Sequence, residues 1–262
     1  MRPLILITND DGIDSPGLWA VVESLIDLGE LIVVAPHIQQ TGMGRSFPRA
    51  SDTGIIECYE RQVGDLKISA YGVHGSPAQA VAYGVLELSP RKPDLCISGI
   101  NYGENLGLSL TCSGTLGAAF EADSHDIPSF AFSRQHAIHA QQSDDFEKLD
   151  WEAHRYFVRE LVTEYLLSGF PEQVRIMNVN FPYDLSKHTK CRITRQSRLN
   201  YSSFLKPSFR NFDEPYVLKS EIDLKPNDVE RDSDIYAVYY DRMISITPLT
   251  WQLSLDVKWF HL

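Results

Sequence analysis

Asp10 and Asp11 are adjacent, follow the apolar run Leu4-Ile5-Leu6-Ile7 by way of Thr8 and Asn9, and precede Gly12. Four bulky apolar residues cut short by polar ones predict a buried strand. Two carboxylates at its end are costly if dry and unpaired. A hard divalent cation, bound through oxygen, satisfies both. Two further segments offer oxygen at matching places. Thr41 lies in the polar loop 38–46 after a second apolar run, and Asn101 closes a third, Leu95-Cys96-Ile97-Ser98-Gly99-Ile100-Asn101. Asp10, Asp11, Thr41 and Asn101 present oxygen and no soft ligand, which favours magnesium or manganese over zinc or copper.

Ser113-Gly114-Thr115 begins a small-residue segment through Ala118, Ala119 and Ala122. At a helix start, such a triplet presents backbone N–H groups, two hydroxyls and the positive end of the helix dipole, a seat for phosphate. The same composition also makes an ordinary helix cap, and both readings stay open. A cation beside a phosphoryl seat predicts metal-assisted phosphate-ester hydrolysis, the metal polarising the phosphoryl oxygen and orienting water. Arg45 could pair a phosphate. His136 and His139 could be ligands or proton donors, although they fall in a polar segment.

These residues need elements to carry them. Leu18, Val21, Val22, Leu25 and Ile26 recur at helical spacing up to Gly29, and residues 31–35 form a second strand stopped by Pro36. Strand, helix, strand predicts a right-handed crossover into a parallel pair. Residues 55–60 and 66–71 read as short strands around Gly64-Asp65, and Ser76-Pro77 caps a helix. Residues 127–132 and 174–181 read as further strands, with a helix over 151–167 between them. From about residue 184 the pattern changes, and short strands are expected at 192–195, 216–222, 235–240 and 243–247. The expectation is a catalytic core over 1–183 and a β-rich extension over 184–262, its apolar tail packed on the core or on a partner subunit.

The chain has 262 residues and a formal net charge of −11, with 24 Lys+Arg against 35 Asp+Glu. That balance argues against duplex nucleic acid and anionic membrane as partners. Hydrophobic content of 43% suffices for a normal core. The four cysteines, Cys58, Cys96, Cys112 and Cys191, form no C-x-x-C pair, which points to reduced thiols and a cytoplasmic address. The first apolar run is too short for a signal peptide and ends in acids.

Thr8-Asn9-Asp10-Asp11-Gly12 with Ser15-Pro16-Gly17, Val34-Ala35-Pro36, Gly75-Ser76-Pro77-Ala78, Ser98-Gly99-Ile100-Asn101, Asn105-Leu106-Gly107, Ser113-Gly114-Thr115 and Ser245-Ile246-Thr247-Pro248-Leu249 together resemble the SurE family of metal-dependent 5′/3′-nucleotidases. The resemblance implies an α/β fold, a Rossmann-like, mostly parallel sheet flanked by helices, with a β-hairpin and tail used to form a homodimer or homotetramer. It implies a metal held by Asp10, Asp11, Thr41 and Asn101, with Asp10 and Asp11 catalytic. It implies phosphate binding by Asn9, Asn105, Ser113, Gly114 and Thr115, and a small nucleotide as substrate. Two departures stand out: Thr41 occupies a serine position, and residues 198–230 do not follow the family's hairpin pattern. A covalent aspartyl-phosphate route normally needs a second Asp two residues after the first, where Gly12 stands. A nucleotide-binding regulator with little or no turnover is the non-enzyme alternative, with Thr41 as its hint.

Overall fold

The computed structural model describes residues 2–137 and 146–254. Strand β1 (Leu4–Thr8) is buried along its whole length, as its unbroken apolar run requires. Helix α1 (Pro16–Leu25) crosses to β2 (Glu30–Pro36), which pairs parallel to β1. The β3 (Ile56–Val63) and β4 (Leu66–Val73) hairpin lies outside β2, with β4 parallel to it. After α2 (Pro77–Tyr83) the chain returns to the other side of β1 as β5 (Leu95–Tyr102). Then follow α3 (Gly114–Ser124), β6 (Ser129–Arg134), α4 (Glu152–Ser168) and β7 (Ile176–Phe181), extending the parallel sheet.

Two late strands complete this sheet. β11 (Ile244–Leu249) pairs antiparallel with β7, and β8 (Cys191–Ile193) pairs with β11, giving the order β3-β4-β2-β1-β5-β6-β7-β11-β8. Residues on β1 alternate between two cores. Ile5 and Ile7 pack with α1 and α4, and Leu4 and Leu6 with α2 and α3. The chain builds outward from β1 on one side, then on the other, so a crevice opens beyond the carboxyl ends of β1 and β5. Asp10 and Asp11 leave β1 at that crevice and Asn101 leaves β5 there.

Two local expectations are corrected. Residues 235–240 are helical rather than extended, as a single turn over Tyr236–Tyr240. Asp234 Oδ1 accepts the Ile235 N–H at 2.8 Å and Ser233 Oγ accepts the Tyr236 N–H at 3.2 Å, so caps override the β preference of the tyrosines. The strand expected over 216–222 contracts to β10 (Ser220–Glu221), paired with β9 (Ser203–Phe204). Between them an arm exposes Phe209, Phe212 and Val217. All four cysteines are free thiols. No helix among the described residues is long and apolar enough to cross a membrane.

His154 on α4 sits edge-on to Trp151 and Phe181, and neither ring nitrogen has a hydrogen-bond partner. Burial pushes its imidazole down to about 3 from 6.5. The unfolded chain therefore takes up this proton first, and folded stability falls as pH drops below 6.5. The loss reaches about 2 kcal/mol near pH 5. His154→Leu is expected to remove that acid-side slope, measured as urea midpoints at neutral and acid pH. An unchanged slope would place the titrating group elsewhere.

Candidate active site

Asp10 and Asp11 are 2% and 3% exposed. Asp10 Oδ1 accepts from Thr115 Oγ1 at 2.6 Å, across 105 residues of sequence. Burial pushes the Asp10 carboxyl up to about 6 even though this hydrogen bond favours the ionised form. Asp11 Oδ2 accepts the Tyr102 N–H at 3.0 Å, and Asp11 Oδ1 accepts from Gln39 Nε2 at 3.3 Å. The pair is thus braced by α3, by the end of β5 and by the loop after β2.

The close approach of these elements depends on glycines. A Cβ on Gly114 would lie 2.7 Å from Asp10 Cβ and 2.8 Å from its Oδ2. A Cβ on Gly117, one helical turn on, would lie 2.0 Å from the Gly44 carbonyl oxygen. Gly117 therefore seats the 41–46 loop on α3, and the Gln40 N–H donating to the Asp10 carbonyl at 2.6 Å fixes its start. Gly117→Ala gains helix propensity but must push this backbone away. The expected net effect is a stability loss of about 1–3 kcal/mol. Calorimetry checks it, and a more stable variant would refute the contact.

Two oxygens on residues that share a cleft with Asp10 have no partner. Thr41 Oγ1 and Asn101 Oδ1 are buried and accept no hydrogen bond. The Asn101 amide nitrogen donates to the Gly103 carbonyl, which turns its oxygen away from that bond and leaves it available. Buried polar atoms are normally paired. Two orphaned oxygens lining one cleft with the Asp10 carboxylate fit a hard cation, and so does an all-oxygen donor set.

The remaining predicted residues fall into two groups. Asn105 and Ser113 line the same cleft, of roughly 930 Å³. Ser113 Oγ also caps α3, accepting from the Leu116 N–H at 3.1 Å, so the cap reading of this triplet holds beside any anion role. Asn9 is fully buried and brackets Gly12, donating to its carbonyl at 2.9 Å and accepting its N–H at 3.2 Å. It shapes the turn that presents the carboxylates. Gly114 and Thr115 act on Asp10, as described.

Asn105 is held more firmly than its loop position suggested. Its N–H donates to Asn180 Oδ1 at 2.7 Å, and its carbonyl accepts from the amides of Asn178 and Asn180. Its own side chain donates to Ser133 Oγ at 2.8 Å. Ser133, Asn178 and Asn180 were not singled out from sequence. The signal was present on β7, where Asn178 and Asn180 put two amides on one face of an otherwise apolar strand.

Glu104 also lines the cleft; it accepts the His136 N–H at 2.9 Å, and burial raises its carboxyl above the usual range. Phe204, Tyr216 and Leu218 of the β9–β10 arm form the outer wall. Arg45 points away from the cleft into an ion pair with Glu121 at 2.7 Å. The His136 imidazole lies beside Arg134 and Glu147, whereas His139 lies outside the described residues.

The family model described as "Survival protein SurE" matches residues 5–203. A "5'-nucleotidase SurE" of Methanosarcina acetivorans is 35% identical over 258 residues, covering 95% of this chain and 92% of the relative. One from Thermococcus gammatolerans is 36% identical, covering 97% and 92%. The crystal structure of the SurE protein from Aquifex aeolicus superposes with a TM-score of 0.73 at 30% identity, covering 96% of this chain and 95% of that one. With its motifs in order and its sheet matched nearly end to end, the chain belongs to the SurE family.

Proposed function

We propose that the protein is a divalent-metal-dependent phosphatase that hydrolyses nucleoside 5′- or 3′-monophosphates to nucleoside and phosphate. The observation that carries this reading is the pair of orphaned oxygens, Thr41 Oγ1 and Asn101 Oδ1, whose residues line one cleft with the buried carboxylate Asp10. Asp10, Asp11, Thr41 and Asn101 would hold magnesium or manganese. When bound, the ion supplies charge neutralisation at the phosphoryl oxygens and lowers the pKa of water. Ser113, Gly114 and Thr115 at the start of α3, with Asn105, hold the phosphate. Asn9 keeps the Asp10-Asp11 turn in shape. Water oxygen bonds to phosphorus, the ester P–O bond breaks, and the nucleoside oxygen leaves with a proton. Phe204 and Tyr216 offer the base an aromatic wall.

The names of the relatives support the nucleotidase assignment. The same reading has the protein work in the cytoplasm as a homodimer or homotetramer, the arm between β9 and β10 supplying contact surface. Phe209 and Phe212 there are 84% and 88% exposed, which favours burial against another subunit. Metal removal is the test. Phosphate release from a panel of nucleoside monophosphates should require magnesium or manganese, stop on chelation and return on adding the metal back. Hydrolysis that survives complete metal removal overturns the mechanism. Nucleotide-induced stabilisation without turnover, at any metal, makes the protein a binding regulator.

A further inference from the structure

One strand outward from the carboxylate pair lies a cluster of different chemistry. His37 follows β2, His74 follows β4, and Glu57 sits on β3 beside them. One ligand atom from each of the three lies within 4.8 Å of the others. We propose that His37, Glu57 and His74 form a second cation site, selective for a borderline transition ion such as zinc and separate from the oxygen site.

The groups around the triad support it. Asp52 Oδ2 lies 2.9 Å from His74 Nδ1, and Glu57 Oε1 lies 3.0 Å from His74 Nε2. A carboxylate on one ring nitrogen fixes the tautomer and raises the basicity of the other, an arrangement common behind metal-bound histidines. Tyr59 Oη donates to the second oxygen of Glu57 and orients that carboxylate. His37 Nδ1 is buried, has no hydrogen-bond partner and lies 3.5 Å from Glu57 Oε2. The two imidazoles are stacked at 4.4 Å and 14°, so their in-plane lone pairs run side by side. Binding therefore requires one ring to turn. His37, with no bond on Nδ1, turns, while Asp52 anchors His74.

With Asp52 on His74 Nδ1, an entering ion takes the place of any proton on Nε2, which leaves to solvent. Imidazole donors select zinc, cobalt or nickel over magnesium, so the two sites do not compete for one ion. The position gives the site a role. The His37 N–H donates to the Val73 carbonyl at 2.8 Å, and residues 38–41 then run directly to Gln39, which bonds Asp11, and to Thr41. An ion here clips the exits of β2 and β4 together at the root of the active-site loop.

Equilibrium dialysis of the full chain against zinc in excess magnesium tests this. One zinc ion per chain is expected. His37→Gln and His74→Gln should each weaken binding at least about tenfold, and Asp52→Asn by about tenfold. Asp10→Asn should leave zinc binding unchanged, which separates this site from the oxygen site whether or not the protein hydrolyses nucleotides. Circular dichroism verifies the fold of each variant. Failure to retain zinc in magnesium, equal binding in the histidine variants, or loss confined to Asp10→Asn each overturns the proposal.

Discussion

Asp10→Asn is expected to lower kcat for nucleoside monophosphates by at least about 10²–10³-fold while leaving the metal-free protein as stable as the parent or more so. The two effects share one cause. Asp10 is a buried carboxylate whose charge is favoured by the Thr115 hydroxyl and by backbone N–H groups of Asp10 and Thr115, yet burial dominates its environment. Asparagine keeps an oxygen for Thr115 and removes a charge that is costly to bury without its ion. Stability in chelator therefore rises, by an amount on the order of 1–3 kcal/mol, and the gain disappears in magnesium, where only the parent is stabilised by the ion. Steady-state kinetics and urea denaturation with and without magnesium read the two arms. A variant that loses activity and is also destabilised without metal would make Asp10 a structural residue. One that keeps activity would remove it from the site.

How much of this could be read beforehand depends on whether a signal was local. β1 and β5 are buried on both faces, so β1 shows an unbroken apolar run with a polar stop and β5 an apolar run, interrupted at Ser98-Gly99, that ends at Asn101. The convergence of Asp10, Thr41 and Asn101 followed from topology, because successive parallel strands leave the same edge of a sheet. What escaped is set by contacts with no sequence period. Gly117 and Gly44 touch across α3 and its neighbouring loop, and nothing near either residue announces the other. Asn178 and Asn180 show an amide face, but their object, the Asn105 carbonyl, is more than seventy residues away. His37, Glu57 and His74 come from three strands at unrelated spacings, which no ligand template would group. Around Tyr236 the β preference of aromatic residues gave the wrong answer because Asp234 accepts N–H groups from Gly107, Ser197 and Ile235. That buried carboxylate fixes a turn that composition does not express.

Thr41 tests the same logic from the opposite side. Its hydroxyl oxygen is buried with no partner, a condition that costs stability in any protein that gains nothing from it. Thr41→Val keeps the shape and deletes the oxygen; Thr41→Ser keeps the oxygen and deletes the methyl. If the oxygen serves a cation, valine should raise metal-free stability slightly, by about 1 kcal/mol, and weaken magnesium or manganese binding by about 10- to 100-fold, with activity at limiting metal falling in step. Serine should retain binding and activity within a few-fold, because the 41–46 loop is placed by Gly117 and by the Gln40 N–H rather than by the threonine methyl. Calorimetric metal titration of the three proteins decides between these outcomes. Equal affinities in the threonine and valine forms would take Thr41 out of the ligand set and leave Asp10, Asp11 and Asn101 to complete their shell with water. Weak binding in the serine form would show that the methyl, by excluding water or fixing the rotamer, holds the hydroxyl on the ion, a β-branched restraint that serine lacks.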